Sequence, residues 1–415
     1  MFSRRTGWEF HADALAEAAA RRRAMGGLLD LTETNPTRCG FEYPQSAIRA
    51  ALAQPDIFLY QPEPQGLPAA REAVANYYQA RRQTGAAERP LAFAGTPRSE
   101  AVWLTAGSSE SYAHLLRLLC DPGDCVHVPR PGYPLLEMLA GLQDVELAPY
   151  PLSPWSNWEI DLPAFEASLT PRSRAVVVIH PNNPTGSYLG RKEWLELQTL
   201  AARHELAVIV DEVFYDYALE WQSTAGIESE PLPEPAALTF VLNGISKITA
   251  LPQMKLGWFV LRGPQTLAQA AARRLEPMLD SFLSVDTPVQ LAAGELLRAR
   301  LEVQPQIQAR LRTNLALLDQ ALATCPALRR WKVSGGWQAI VRVPGIFSDE
   351  EWARKLLAES GVHLHPGHFY GLDQMQDAAG AQMRAACLVL SLLPPTQDFT
   401  RAVSAAIHLI RSQIK

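Results

Sequence analysis

From about residue 100 the chain repeats one pattern: a short continuous apolar run, then a stretch in which apolar residues recur at helical spacing. Residues 101–105, 125–128, 175–180, 207–210 and 239–242 are the apolar runs, and 111–120, 135–142 and 192–204 carry the helical period. The runs are apolar throughout rather than alternating with polar positions, so both faces of each predicted strand are covered. Strands of that kind separated by helices predict an α/β unit with a mainly parallel sheet and helices on both faces. Residues 258–261 read as one further strand, reversed at this sheet.

The flanks differ. An alanine-rich helical pattern over 11–25 stops at Gly26-Gly27, a strand-like run over 28–34 follows, and 35–40 is a turn cluster. Helices are expected over 44–54 and 67–84, separated by 60–66, where two prolines and a glycine exclude regular structure. Residues 221–237 read as an exposed loop. A helical run over 287–324, interrupted near Pro305, leads out of the large unit; strands are expected at 331–343 and 363–365, and helices at 349–359 and 396–413. The expected division is a large domain over 50–295 and a smaller α+β domain made by 1–49 together with 296–415.

Composition narrows the function. The 415 residues are 47% apolar and 20% charged, with a net charge of −5, which gives no basic field for nucleic acid. No run reaches the length of a membrane span, and the first residues lack the apolar core of a signal peptide. The five cysteines are scattered without a CxxC pair, which favours a reducing compartment, so the cytoplasm is expected. Cys120, Cys125 and His127 are neighbours but lack a second ligand pair, and no metal is expected.

Five stretches carry candidate chemistry at strand ends, where α/β sheets bind ligands. Thr105-Ala106-Gly107-Ser108-Ser109 precedes a helix, either as an anion site for a phosphate or as an ordinary helix cap. Tyr133, in Pro131-Gly132-Tyr133-Pro134, is either a ring that stacks on a heteroaromatic cofactor or a half-buried turn residue. In His180-Pro181-Asn182-Asn183-Pro184-Thr185-Gly186 an asparagine amide is held between two prolines, in a position to donate to a phenolate or simply to make a turn. Asp211 ends a buried strand, where a carboxylate can keep a pyridine nitrogen protonated or cap the next element. Finally, Asn243-Gly244-Ile245-Ser246-Lys247 sets one of only six lysines in apolar surroundings, which weaken its charged form and free its amine to attack a carbonyl carbon.

In this order and spacing the stretches resemble the fold-type-I, class I/II aminotransferases, enzymes that use pyridoxal 5′-phosphate, and the resemblance implies a seven-stranded-type sheet in the large domain. The resemblance implies that Lys247 joins the cofactor aldehyde and then moves the proton. It implies that Asp211 pairs with the pyridinium nitrogen, Asn183 binds the phenolic oxygen and Tyr133 stacks on the ring. Gly107, Ser108, Ser109, Ser246 and Lys255 would hold the phosphate, and Tyr60 would reach the phosphate of the neighbouring subunit in a homodimer with shared active sites. The substrates implied are an amino acid and a 2-oxo acid, exchanged in a ping-pong course.

Departures from the family pattern keep other readings open. Lys255 stands where an arginine is usual, Gly244 where a second serine is common, and Phe214 where a tyrosine supports the phenolic oxygen; Tyr215 is the candidate replacement. Val389 occupies the place of the arginine that clamps the substrate carboxylate, with Arg38 and Arg384 as substitutes. A lyase, decarboxylase or oxidase using the same cofactor, or a non-catalytic protein that binds it, therefore stands as the alternative.

Overall fold

A computed structural model describes residues 1–7, 14–83, 90–220, 232–375 and 386–414. Its strands, in chain order, are β1 (Leu29–Asp30), β2 (Val102–Thr105), β3 (Cys125–Arg130), β4 (Glu146–Ser153), β5 (Glu159–Ile160), β6 (Ser173–Ile179), β7 (Ala207–Asp211), β8 (Thr239–Gly244), β9 (Gly257–Arg262), β10 (Arg329–Arg330), β11 (Gln338–Val343), β12 (Val362–His363), β13 (His365–Pro366) and β14 (Ala386–Ser391).

The large sheet runs β2-β9-β8-β7-β6-β3-β4-β5. It has seven principal strands and a two-residue edge strand, β5, paired antiparallel to β4. Strands β4, β3, β6, β7 and β8 are parallel, and β9 is reversed, antiparallel to both β8 and β2. Strand β2 therefore points the same way as β8. The loops after β2, β3, β6, β7 and β8, and the loop entering β9, all open on one edge of the sheet.

Both faces are covered, as continuous apolar strands require. On one face Val126, Ala175, Val177, Ile209, Leu242 and Phe259 pack under the helices Ser108–Leu119, Leu135–Gly141 and Gln265–Asp280. On the other, Val176, Val178, Val208, Val210, Val241 and Val260 pack under Pro68–Gln83 and Arg191–Arg203. A third core joins Leu15, Leu31 and Phe41 to the helix Arg300–Ala323, the sheet β10-β11-β14-β13 and the helix Thr396–Gln413. Strand β1 pairs in parallel with β12, tying the start of the chain to this smaller sheet unit.

Several expectations are corrected. The helical run after residue 287 breaks at Ala292 and Ala299, not at Pro305, which lies inside Arg300–Ala323. The carbonyl that Pro305 leaves without a partner belongs to Leu301, and that residue is exposed, so water can take the bond. The strand expected over 331–343 is only Gln338–Val343, because Gly335-Gly336 forms a turn first. The strand over 363–365 is split between β12 and β13, in two different sheets. Residues 221–231 of the expected loop lie outside the described residues.

Candidate active site

Topology brings the expected motifs to one sheet edge. Gly244 and Thr105 both pair with Gly257, so the ends of β8 and β2 flank the start of β9. A Cβ on Gly257 would stand 2.6 Å from Gly107 Cα, so the two backbones touch and only glycine fits. The same crowding explains Gly244: a Cβ there would lie 3.0 Å from Leu256 O and 3.1 Å from Gly257 Cα, and a serine requires the start of β9 to yield.

Gly107 caps the helix Ser108–Leu119 with no side-chain cap, so the first amides of that helix point toward the sheet edge without intrahelical acceptors. Lys255 reaches the same place, its Nζ 3.9 Å from where a Gly107 Cβ would be. Ser246 opens the short helix Ile245–Ile248 beside them. Amides, hydroxyls and one ammonium thus form a cradle suited to a dianion.

Lys247 is partly buried, its Nζ 4.9 Å from the Trp337 ring centroid and 5.4 Å from that of Phe214. Burial pulls its pKa down to about 8, with the Asp211 charge pulling the other way. Asp211 is buried at the end of β7. Its Oδ1 accepts Val213 N–H at 3.0 Å and its Oδ2 accepts the Tyr112 hydroxyl at 3.0 Å. Burial raises its pKa to about 6 against those two hydrogen bonds.

Asn183 follows β6 and leaves its Oδ1 buried without a hydrogen-bond partner. Its neighbour Asn182 is fixed instead, Nδ2 donating to Pro131 O at 3.0 Å, which ties this loop to the one carrying Tyr133. Tyr133 is 47% exposed and walls a cavity of about 420 Å³ shared with Arg130, His368, Phe369 and Tyr370. A glycine-lined anion cradle and a buried carboxylate set near a lysine of lowered pKa fit a phosphorylated pyridine aldehyde.

Other residues stand apart from this edge. Tyr60 is 75% exposed in an irregular segment beside Ser284 and Asp286. Arg38 lies on an exposed turn, 3.9 Å from Glu33, and Arg384 lies outside the described residues. Val389 is buried between Ile340 and His365. Tyr215 does not replace the missing tyrosine, because its hydroxyl donates to Pro90 O at 2.5 Å, away from Lys247. Phe214 instead packs on Trp337 at 5.3 Å.

Sequence reasoning missed Tyr112 and Trp337. Tyr112 sits one helical turn after Ser108, a spacing that places both on one side of the helix; Trp337 follows the double glycine, whose tight turn brings it to Lys247.

A lysine and a carboxylate on neighbouring loops of a doubly covered parallel sheet, with a smaller sheet unit beside it, define a fold-type-I transferase. The chain belongs to the family "aminotransferase class I and II", whose model matches residues 28–386, and it is an amino-acid aminotransferase. It is 29% identical over 289 residues to the glutamate-pyruvate aminotransferase AlaA of Escherichia coli strain K12, covering 69% of this chain and 67% of that one. It is 29% identical over 310 residues to the tyrosine aminotransferase of Homo sapiens, covering 72% of this chain and 64% of that one. In fold it matches an alanine aminotransferase from Pyrococcus furiosus with a TM-score of 0.82 at 21% identity, covering 99% of this chain and 100% of the other.

Proposed function

We propose that this aminotransferase works with pyridoxal 5′-phosphate at the sheet edge described above, moving an amino group between an amino acid and a 2-oxo acid by a ping-pong course. The observation that carries the reading is the placement of Asp211, buried at the end of β7, and Lys247, just beyond the neighbouring β8, beside the glycine-lined cradle at Gly107; burial draws the lysine down to about 8 and the carboxyl up to about 6. The cofactor supplies an electron sink when bound. The chain supplies the rest. Lys247, its pKa lowered to about 8, would bond the aldehyde carbon with loss of water and would carry a proton to and from the substrate α-carbon. Asp211, buried and holding only neutral donors, would take the ring nitrogen as its cationic partner. Asn183 would serve the phenolic oxygen through its amide, Tyr133 would cover the ring, and Gly107, Ser108, Ser109, Ser246 and Lys255 would hold the phosphate.

The core that joins Leu15, Leu31 and Phe41 to the helix Arg300–Ala323 and the sheet β10-β11-β14-β13 supports a smaller domain from 1–49 and 296–415 beside a large one over 50–295. Exposed Phe58, Leu59 and Tyr60 support a homodimer in which Tyr60 completes the partner's phosphate site. Five free cysteines support the cytoplasm, and among the described residues no helix is long and apolar enough to cross a membrane. With Val389 in a buried apolar setting, the substrate carboxylate needs another partner, and Arg38 and Arg384 are the candidates that the sequence offers.

The test is visible absorption of the protein reconstituted with the cofactor while amino acids are added singly. One donor should bleach the lysine-bound band and a 2-oxo acid should restore it. Lys247→Ala should show neither band nor turnover; a variant that still turns over overturns the assignment.

A further inference from the structure

We propose that Tyr112 is a positioning residue: it locks the Asp211 carboxylate at a fixed reach from the anion cradle, so that one helix sets both ends of the cofactor site. The inference rests on the cofactor reading above and adds to it a residue outside the motifs that led there.

The geometry is direct. Tyr112 is 2% exposed and donates its hydroxyl to Asp211 Oδ2 at 3.0 Å, across 99 residues of chain. It stands on Ser108–Leu119, whose first turn supplies the cradle. The start of that helix is itself clamped. Ser111 Oγ and Thr105 Oγ1 are 2.8 Å apart, Ser111 Oγ also reaches Gly107 O, and Glu110 Oε2 accepts Ala106 N–H at 2.6 Å. A rigid first turn and a stiff phenol one turn later leave Asp211 Oδ2 little freedom relative to Ser108 and Ser109. Val213 N–H fixes the other oxygen. An acid held at both oxygens presents its remaining lone pairs in one direction.

The other groups around this carboxylate do not substitute for Tyr112. Glu212, next in the chain, faces Arg81 and opposes the Asp211 charge; Lys247 favours that charge from the loop after β8. His180, at the end of β6, is turned to Leu91 O and Leu189 N and is kept neutral by burial. Tyr150, near Tyr112, donates to Val177 O. The burial of the Tyr112 phenol raises its own pKa, so it remains a donor at any working pH.

Tyr112→Phe keeps the ring and removes the donor. The dissociation constant for pyridoxal 5′-phosphate should rise about tenfold, the scale of one lost hydrogen bond to a charged group. The acid limb of the affinity-against-pH curve should move to higher pH, because a carboxylate that loses a donor protonates more easily. Inorganic phosphate should compete with the cofactor equally well in both proteins, since the cradle is untouched. In an Asp211→Ala background the Tyr112→Phe change should add nothing to the dissociation constant, and this cycle reads the coupling even if the single variant is less stable. Unchanged affinity and an unchanged acid limb, with only melting temperature altered, would show that Tyr112 merely fills the core and overturn the proposal. If the unmodified protein binds no cofactor, the fault lies in the cofactor reading and the proposal falls with it.

Discussion

Asp211 and Glu212 are adjacent carboxylates at the end of one strand, and they are buried in opposite ways. Successive side chains on a strand point to opposite faces. Asp211 turns to the helix Ser108–Leu119 and receives two neutral donors, Val213 N–H and the Tyr112 hydroxyl. Glu212 turns to Pro68–Gln83 and receives a full counter-charge: Arg81 Nη2 at 2.6 Å on Oε2, with Phe93 N–H at 2.7 Å on Oε1. Arg81 in turn lies 3.8 Å from the Tyr215 ring centroid. One acid is complete within the protein. The other is desolvated without a cation in contact, and its raised pKa reports that deficit. The contrast separates a carboxylate neutralised inside the fold from one that keeps its place for a cation, the role proposed for Asp211.

The largest way to break the contrast is to exchange the losses. Glu212→Gln removes the counter-charge that faces the buried Arg81 guanidinium, and it should lower stability by about 3–5 kcal/mol in urea titrations. Asp211→Asn removes a buried charge that has no counter-ion, so the cofactor-free protein should keep its stability or gain slightly while cofactor affinity falls. If Asp211→Asn destabilises as much as Glu212→Gln, Asp211 is a structural acid and the contrast fails.

Stability against pH tests the same idea in the cofactor-free protein. Lys247 falls from 10.5 to about 8 on folding. Between those values the unfolded chain binds more protons, so stability should rise with pH across about 8 to 10.5, by up to about 3 kcal/mol. Asp211 rises from 3.8 to about 6; there the folded chain binds more protons, and stability should fall as pH rises across about 4 to 6, again by up to about 3 kcal/mol. Lys247→Met should flatten the alkaline window and Asp211→Asn the acid one. Windows that survive these substitutions would assign the shifts to other groups.

The parallel strands were legible because a strand covered on both faces writes itself as an unbroken apolar run. Strand β4 was not: Pro149 and Pro151 interrupt it, and its neighbour β5 is only two residues long. The helix Gln265–Asp280 was also missed, with Pro277 near its end. At the candidate site, local motifs singled out Gly107, Asn183, Asp211 and Lys247, because turns and strand ends demand particular residues. Tyr112 and Arg81 gave no local sign, since each matters only through a partner more than ninety residues away. Tyr215 misled for the same reason: the sequence shows a tyrosine beside an acid but not that its hydroxyl goes to Pro90.

The smallest effect comes from a second pair, Lys247 and Lys255, eight residues apart. Lys247 sits among Phe214, Trp337 and the Asp211 field; Lys255 is exposed at the mouth of the anion cradle. An exposed ammonium beside a bound dianion gains little in water and is screened by salt. Lys255→Ala should therefore raise the dissociation constant for pyridoxal 5′-phosphate only about fivefold at low ionic strength, a scale set by exposed ion pairs. That difference should shrink as salt approaches about 1 M, where the screening length is near 3 Å. Pyridoxal without its phosphate should bind both proteins alike, because the residue faces only the phosphate cradle. The loss from Tyr112→Phe, by contrast, should persist at high salt, since a buried hydrogen bond is not screened. A large, salt-independent loss in Lys255→Ala would mean that its ammonium is desolvated in the complex, and the division between a buried reacting lysine and an exposed binding one would have to be withdrawn.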